Sequence, residues 1–166
     1  NDLMGGAGND VLVGSGNSSY LEGGSGDDVM IGGAGSDTYI FNLGDGSDVI
    51  SDMGGSDVLE LRGFDWNIFD ITASKADDGS FFNLLFSEGS NVCGDVTLDL
   101  VEGNMLDTLR LGEGGTELSL YDLYDGAMEI DTSLNDMSAS LDAAVDAAQN
   151  TGIGDAIDMV FTENAD

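Results

Sequence analysis

The 166-residue chain has no histidine, a single cysteine (Cys93) and only three basic residues, Arg62, Lys75 and Arg110. Each scarcity excludes a class of chemistry. Without histidine there is no nucleophile–histidine pair, and no Gly-x-Ser-x-Gly elbow is present, so the sequence reads as non-enzymatic. One cysteine and no histidine leave too few ligands for zinc, and a lone cysteine closes no internal disulfide. Three cations against 33 acidic residues give a formal charge of −30. That balance excludes nucleic acid and anionic membrane as partners, because both are held through Lys and Arg. No apolar run approaches the roughly 20 residues of a membrane span. Yet apolar residues make up 41% of the chain, too many for general disorder. So much like charge opposes a compact state unless cations neutralise it.

What the chain does have is a period. Between Gly5 and Asp48 a nine-residue unit recurs: GGAGNDVLV (5–13), GSGNSSYLE (14–22), GGSGDDVMI (23–31) and GGAGSDTYI (32–40), with a stretched copy LGDGSDVIS (43–51). Glycine recurs at places one, two and four. Asp10, Asp28, Asp37 and Asp48 hold place six, and Leu12, Leu21, Met30, Tyr39 and Ile50 hold place eight. Glycines at these places let the backbone turn sharply through positive φ and aim carbonyl oxygens inward. The residues after each Asp suffice only for a short strand. Two units therefore make one coil, and successive coils stack at about 4.8 Å. This places Asp10 over Asp28 and Ser19 over Asp37. Carboxylates stacked so closely repel unless a cation lies between them. Carboxylate and carbonyl oxygens in a flexible cage suit Ca²⁺ before Mg²⁺. A Gly/Ser linker is the alternative, since 13 of the 26 glycines lie between Gly5 and Gly46. A linker, however, has no reason to set an apolar residue two places after each Asp.

The copies are unequal. Turns 5–10 and 23–28 keep every consensus residue and are expected to bind best. Turn 14–19 has Ser15, Asn17 and Ser19 at places two, four and six. Asn17 is expected to take the left-handed region, and the neutral Ser19 weakens the site shared with turn 32–37. Asp37 and Asp48 lie eleven residues apart rather than nine, and Asp45 offers an extra ligand there.

Past Asp52 the pattern changes. Residues 53–130 predict an antiparallel cap of five or six strands: a run from Val58, Ile68–Ser74 and Phe81–Phe86 about the turn Asp77-Asp78-Gly79, then Val96–Val101, Leu106–Leu111 and Thr116–Tyr121. Such a cap covers the raw edge of the coil. Phe64, Trp66, Phe69 and Phe81 are its expected core; an aromatic platform for glycan binding or adhesion is the alternative use. In 131–166, Ser133-Leu134-Asn135-Asp136 resembles a capping box. Leu134, Met137, Leu141, Val145 and Ala148 follow at helical spacing, with Gly152 as the stop.

Through its GGxGxD turns the stretch 1–52 resembles the RTX, or haemolysin-type, calcium-binding repeat proteins. More loosely, Ser56–Leu61 and Gly103–Leu109 are similar to segments that follow the roll in that family. The resemblance implies an all-β fold: a parallel β-roll over 1–52, the antiparallel cap over 53–130, and a short C-terminal helix and tail over 131–166. It implies two or more Ca²⁺ ions. The best site would use Asp10 and Asp28 with the carbonyls of Gly5, Ala7, Gly24 and Gly26. The weaker one would use Asp37 with those of Gly14, Gly16, Gly33 and Gly35, and Asp45 and Asp48 would serve the last coil. It further implies the C-terminal portion of a bacterial protein exported to the outside by a type I secretion system, with the tail as the signal read by that machinery. As a separate piece the chain is expected to be a monomer.

Overall fold

The period of nine becomes a coil of alternating strands in the computed structural model, which describes residues 1–132. Strands β1 (Asp2–Ala7), β2 (Val11–Val13), β3 (Tyr20–Ser25), β4 (Val29–Ile31), β5 (Thr38–Asn42), β6 (Ser47–Ser51) and β7 (Val58–Arg62) fall in turn into two parallel sheets, the odd strands in one and the even strands in the other. This is a parallel β-roll. Val11 pairs with Val29 and Tyr20 with Thr38, as the eighteen-residue coil requires. After the insertion the pairs are Val29 with Val49 and Thr38 with Val58, so later coils take twenty residues. Every place-eight residue points between the sheets. Leu21, Met30, Tyr39, Ile50 and Leu59 are at most 1% exposed, and Leu12 in the outermost coil is 7% exposed.

The roll runs one turn further than the spacing rules anticipated. Asp57 lies at place six and Leu59 at place eight of another unit, and β7 pairs in parallel with β5. Beyond it, β8 (Phe69–Ala76), β9 (Phe81–Glu88) and β10 (Asn91–Asp99) form the expected antiparallel meander. The all-antiparallel expectation is otherwise corrected. β10 lies parallel to β6, and β11 (Thr108–Leu111) lies parallel to β7. β12 (Thr116–Ser119) returns antiparallel to β11, and β13 (Met128–Ile130) adds parallel to β8. Edge pairing explains the difference. β6 and β7 present open parallel edges, and the chain extends those sheets instead of laying a separate one across them. At the junction Gly94 (φ +146°) has no room for a side chain. A Cβ there would stand 2.6 Å from the Gly46 carbonyl oxygen and 3.1 Å from the Phe41 ring.

The strand expected through Tyr121 stops at Ser119. The Ser119 hydroxyl accepts the Asp122 N–H at 3.3 Å and opens the short helix α1 (Leu120–Asp125). The helix expected over 133–152 lies outside the described residues.

Roll and cap share one core. Phe64 stacks on Trp66 (centroids 5.0 Å apart, planes at 15°) and meets Phe69, Phe86 and the roll residue Phe41 at 5.4, 5.1 and 6.3 Å. Phe64, Trp66 and Phe69 therefore pack as expected. Phe81 does not: its neighbour Phe82 is fully buried and touches Tyr124. Phe82, Leu84 and Phe86 alternate inward along β9, so Phe81 falls on the opposite face. On the outer face of the first sheet Glu60, 2% exposed, is bound by Arg62 (2.5 Å) and Arg110 (3.1 Å), two of the three cations in the chain. The third, Lys75, donates to the Tyr124 carbonyl at 2.9 Å and lies 4.6 Å above that ring.

The reversal in β9 is measurable. Phe82→Ala is expected to lower stability by about 3–5 kcal/mol, and Phe81→Ala by far less, read as the shift in urea midpoint at constant slope.

Candidate metal centre

The turns of the roll form two columns. Turns 5–10, 23–28 and 43–48 lead from the first sheet to the second and make the first column. Turns 14–19, 32–37 and 52–57 lead back and make the second. Within each column a backbone N–H at place six donates to the carboxylate one coil further on. In the first column Asp10 N bonds Asp28 Oδ1 at 2.7 Å, and Asp28 N bonds Asp48 Oδ1 at 3.0 Å. In the second the bonds run from Ser19 N to Asp37 Oδ1 (2.7 Å), from Asp37 N to Asp57 Oδ1 (2.9 Å) and from Asp57 N to Asp107 Oδ2 (2.9 Å). Place five bonds in the opposite sense: Asp27 N donates to Asn9 Oδ1, and Ser47 N to Asp27 Oδ1.

These ladders use one oxygen of each Asp that follows the first rung, so in the first column Asp28 and Asp48 each accept one bond and Asp10 only donates. In the first column an oxygen is left over on all three: Oδ2 of Asp10, Asp28 and Asp48 is buried and has no hydrogen-bond partner. Asp28 and Asp48 are only 1% exposed. An ionised carboxylate oxygen held so is costly unless a cation meets it. The glycines fit the same reading. Gly6, Gly8, Gly24, Gly26, Gly44 and Gly46 all lie at positive φ, between +96° and +140°. Places two and four are thus left-handed in all three turns. At place one, a Cβ on Gly5 would stand 2.7 Å from Asp10 Oδ2, and one on Gly23 would overlap Asp28 Oδ2. Glycine there leaves the leftover oxygen its space. This donor set of hard oxygens in a turn of peptide units suits a divalent cation with oxygen preference.

Charge crowding appears in the acid–base chemistry. Burial, joined by the charges of Asp28, Asp45 and Asp27, pushes Asp48 from the ordinary 3.8 to about 7, against the lowering effect of its bond from Asp28 N. Burial also raises Asp45, although bonds from Asn42 N and Nδ2 to its Oδ2 partly offset this. One oxygen of Asp45 therefore braces its own turn.

The second column is built differently. Among the described residues no non-glycine residue is left-handed, so Ser15 and Asn17 hold turn 14–19 in another conformation, and Gly14, Gly16, Gly33 and Gly35 are not left-handed either. Asn17 does not take the conformation expected of it. Asp37, Asp52 and Asp57 are buried together, their ligand atoms within 4.8 Å of one another. Burial raises Asp57, helped by its contact with Asp52 and by the Asp52 and Asp37 charges.

Of the residues expected from sequence, Gly5, Gly24, Gly26, Asp10, Asp28 and Asp48 come together in the first column. Ala7 lies at the end of β1, between Gly6 and Gly8. Gly14, Gly16, Gly33, Gly35 and Asp37 belong to the second column. Asp52, Asp57, Tyr39, Gly23 and Asp107 were missed as site residues. Two had a signal: Asp57 follows Asp48 by nine residues, and Asp107-Thr108-Leu109 repeats the Asp-x-apolar end of the unit. The columns also end differently, since Val96 pairs with Asp48 whereas Asp107 extends the second column.

A family model described as the RTX calcium-binding nonapeptide repeat, in four copies, matches residues 4–39 and 41–63. The chain carries an RTX repeat array. The matched span includes turn 52–57 and β7, in agreement with the observed end of the roll. RTX repeats bind calcium, and the donor set of the first column suits that ion. No curated protein matches the chain. Among the described residues no helix is long and apolar enough to cross a membrane.

The raised carboxylates set a pH response for the metal-free RTX array. A folded value of about 7 for Asp48, above its ordinary 3.8, means that its contribution is complete below about pH 4 and is lost as pH rises through about 7. Circular dichroism in excess chelator is therefore expected to show more strand at pH 5 than at pH 8.

Proposed function

We propose that this chain is a calcium-triggered folding module of a larger exported protein: unfolded at the low free calcium of a cytosol, folded on reaching calcium outside. The observation that carries this reading is the file of buried, unpartnered Oδ2 atoms of Asp10, Asp28 and Asp48. Asp10, Asp28 and Asp48 would hold the ions, with peptide oxygens of the flanking turns, among them those of Gly5, Ala7, Gly24 and Gly26. What the ion supplies is positive charge at these oxygens; the alignment is the chain's own, through the place-six bonds. Asp45 would contribute to the field of the last turn.

The energetics support the switch. Extracellular calcium modules bind at about 10⁻⁴ to 10⁻³ M. An ion at about 100 times its Kd adds about 2.7 kcal/mol, and far below Kd adds almost nothing. The first column has two intervals between neighbouring turns, one on either side of turn 23–28; one ion in each would add about 5 kcal/mol, comparable with the whole stability of a small domain. An unfolded, highly acidic chain suits passage through a narrow type I channel, with residues 131–166 as the recognised end. No catalytic role is assigned to the chain. The glycan-platform alternative is disfavoured because Phe64, Trp66 and Phe69 pack on one another.

Titration of the whole chain from chelator at pH 7.5, followed by circular dichroism and hydrodynamic radius, is expected to give a cooperative compaction with Ca²⁺ in the sub-millimolar to millimolar range and little response to Mg²⁺. Full strand signal in excess chelator at that pH would sink the proposal.

A further inference from the structure

We infer that the two columns divide the work: the first holds the calcium, and the second closes without an ion, through a clasp between Tyr39 and Asp52. The inference rests on the calcium reading above and separates turns that the repeat pattern treats alike.

Hydrogen-bond accounting makes the distinction. In the first column each Asp keeps a buried oxygen with no donor. In the second, both oxygens of Asp37 are met, Oδ1 by Ser19 N (2.7 Å) and Oδ2 by Gly33 N (3.0 Å). Both oxygens of Asp52 are met as well, Oδ1 by the Tyr39 hydroxyl (2.6 Å) and Oδ2 by Gly54 N (2.9 Å). With Asp37 N on Asp57 Oδ1, donors from Ser19, Gly33, Asp37, Tyr39 and Gly54 converge on the three clustered carboxylates. Donor dipoles stabilise buried anions as a cation would, and they turn their positive ends toward the place an ion would need. The closeness of Asp37, Asp52 and Asp57 is therefore weaker ground for a metal than the leftover oxygens of the first column.

Space and backbone agree. Beside the place-one glycines Gly5 and Gly23 of the first column stands the leftover oxygen of that turn's own Asp, whereas two further side chains crowd in here: a Cβ on Gly32 would overlap the Tyr39 hydroxyl and Asp52 Oδ1, and would stand 2.9 Å from Asp37 Oδ2. The left-handed pair at places two and four is missing from turns 14–19 and 32–37. Ser15 and Asn17 do not permit it below, and Gly33 and Gly35 lie tightly against those two residues in the next coil. Ser19 supplies no charge. Asp52 stands at place one of its own turn, where the unit has glycine, and Tyr39 at place eight is the aromatic residue long enough to reach it. Together they tie β5 to the end of β6 across the interior.

The test counts bound ions by equilibrium dialysis with radioactive calcium on the full chain, and measures the urea midpoint of the calcium-saturated protein. Wild type is expected to hold two ions in the sub-millimolar to millimolar range given above. Asp28→Asn, at the middle turn that faces both intervals of the first column, is expected to weaken both by at least about 10-fold, the low end of what even an outer partner of a metal ligand contributes. Tyr39→Phe and Asp52→Asn keep the shape and are expected to retain both ions at unchanged affinity, while lowering the urea midpoint. Loss of a bound ion in either of those two variants overturns the clasp. Wild type that binds no calcium fails the calcium reading itself, which is a different result. Should Asp52→Asn not fold, Tyr39→Phe decides alone, since it removes one hydroxyl and no charge.

Discussion

A single bond type both builds this molecule and burdens it. The place-six N–H of one coil reaches the place-six carboxylate of the next, and that contact sets coils in register while stacking like charges through the interior. At a separation of about 4–5 Å, two unit charges repel by about 4 kcal/mol at an effective dielectric of 20. The roll cannot be aligned without incurring this. A cation at the leftover oxygens would turn the same geometry from cost to gain, and the proposed switch rests on that coupling of ion binding to strand stacking. The place-five ladder adds to this, since its N–H groups donate in the opposite sense and each coil is bound to its neighbour from both directions.

Much of this was legible in the residues. The nine-residue period determines coil length, the place-eight column predicts the inward face down to Leu12 and Ile50, and the eighteen-residue offset puts Asp10 on Asp28. What could not be read had definite causes. The turn at 52–57 was hidden because Asp52 and Met53 replace the glycines at places one and two, although the apolar residue at Leu59 and the spacing to Asp57 kept the rhythm. The burial of Phe82 in place of Phe81 depends on strand phase, and two adjacent phenylalanines carry no phase of their own. Parallel docking of β10 and β11 depends on which edges the roll leaves open, a property of the assembled fold. The difference between the two columns was partly visible in Ser15, Asn17 and Ser19. Its decisive part, a tyrosine hydroxyl on an aspartate thirteen residues away, exists only in three dimensions.

The two ends of the molecule rest on different forces. All three cations lie on the cap side, Arg62 and Arg110 on Glu60 and Lys75 on Tyr124, and the aromatic cluster around Phe64 lies there too. Burial and pairing of an ordinary kind suffice for that end. The outer coils leave Met4, Val11 and Val13 exposed and have no basic side chain to answer their aspartates. A cation from the solvent is what the proposed switch would supply there.

Val96 gives the first column a fixed origin. Opposite Asp48 the next strand offers an isopropyl group in place of a carboxylate, so no further rung can be added on that side whatever the ion concentration. The described turns of this column all lie on one side of Val96, so the array is in this sense a ruler with its zero at the cap. Each turn's place is set by the number of units that separate it from that strand.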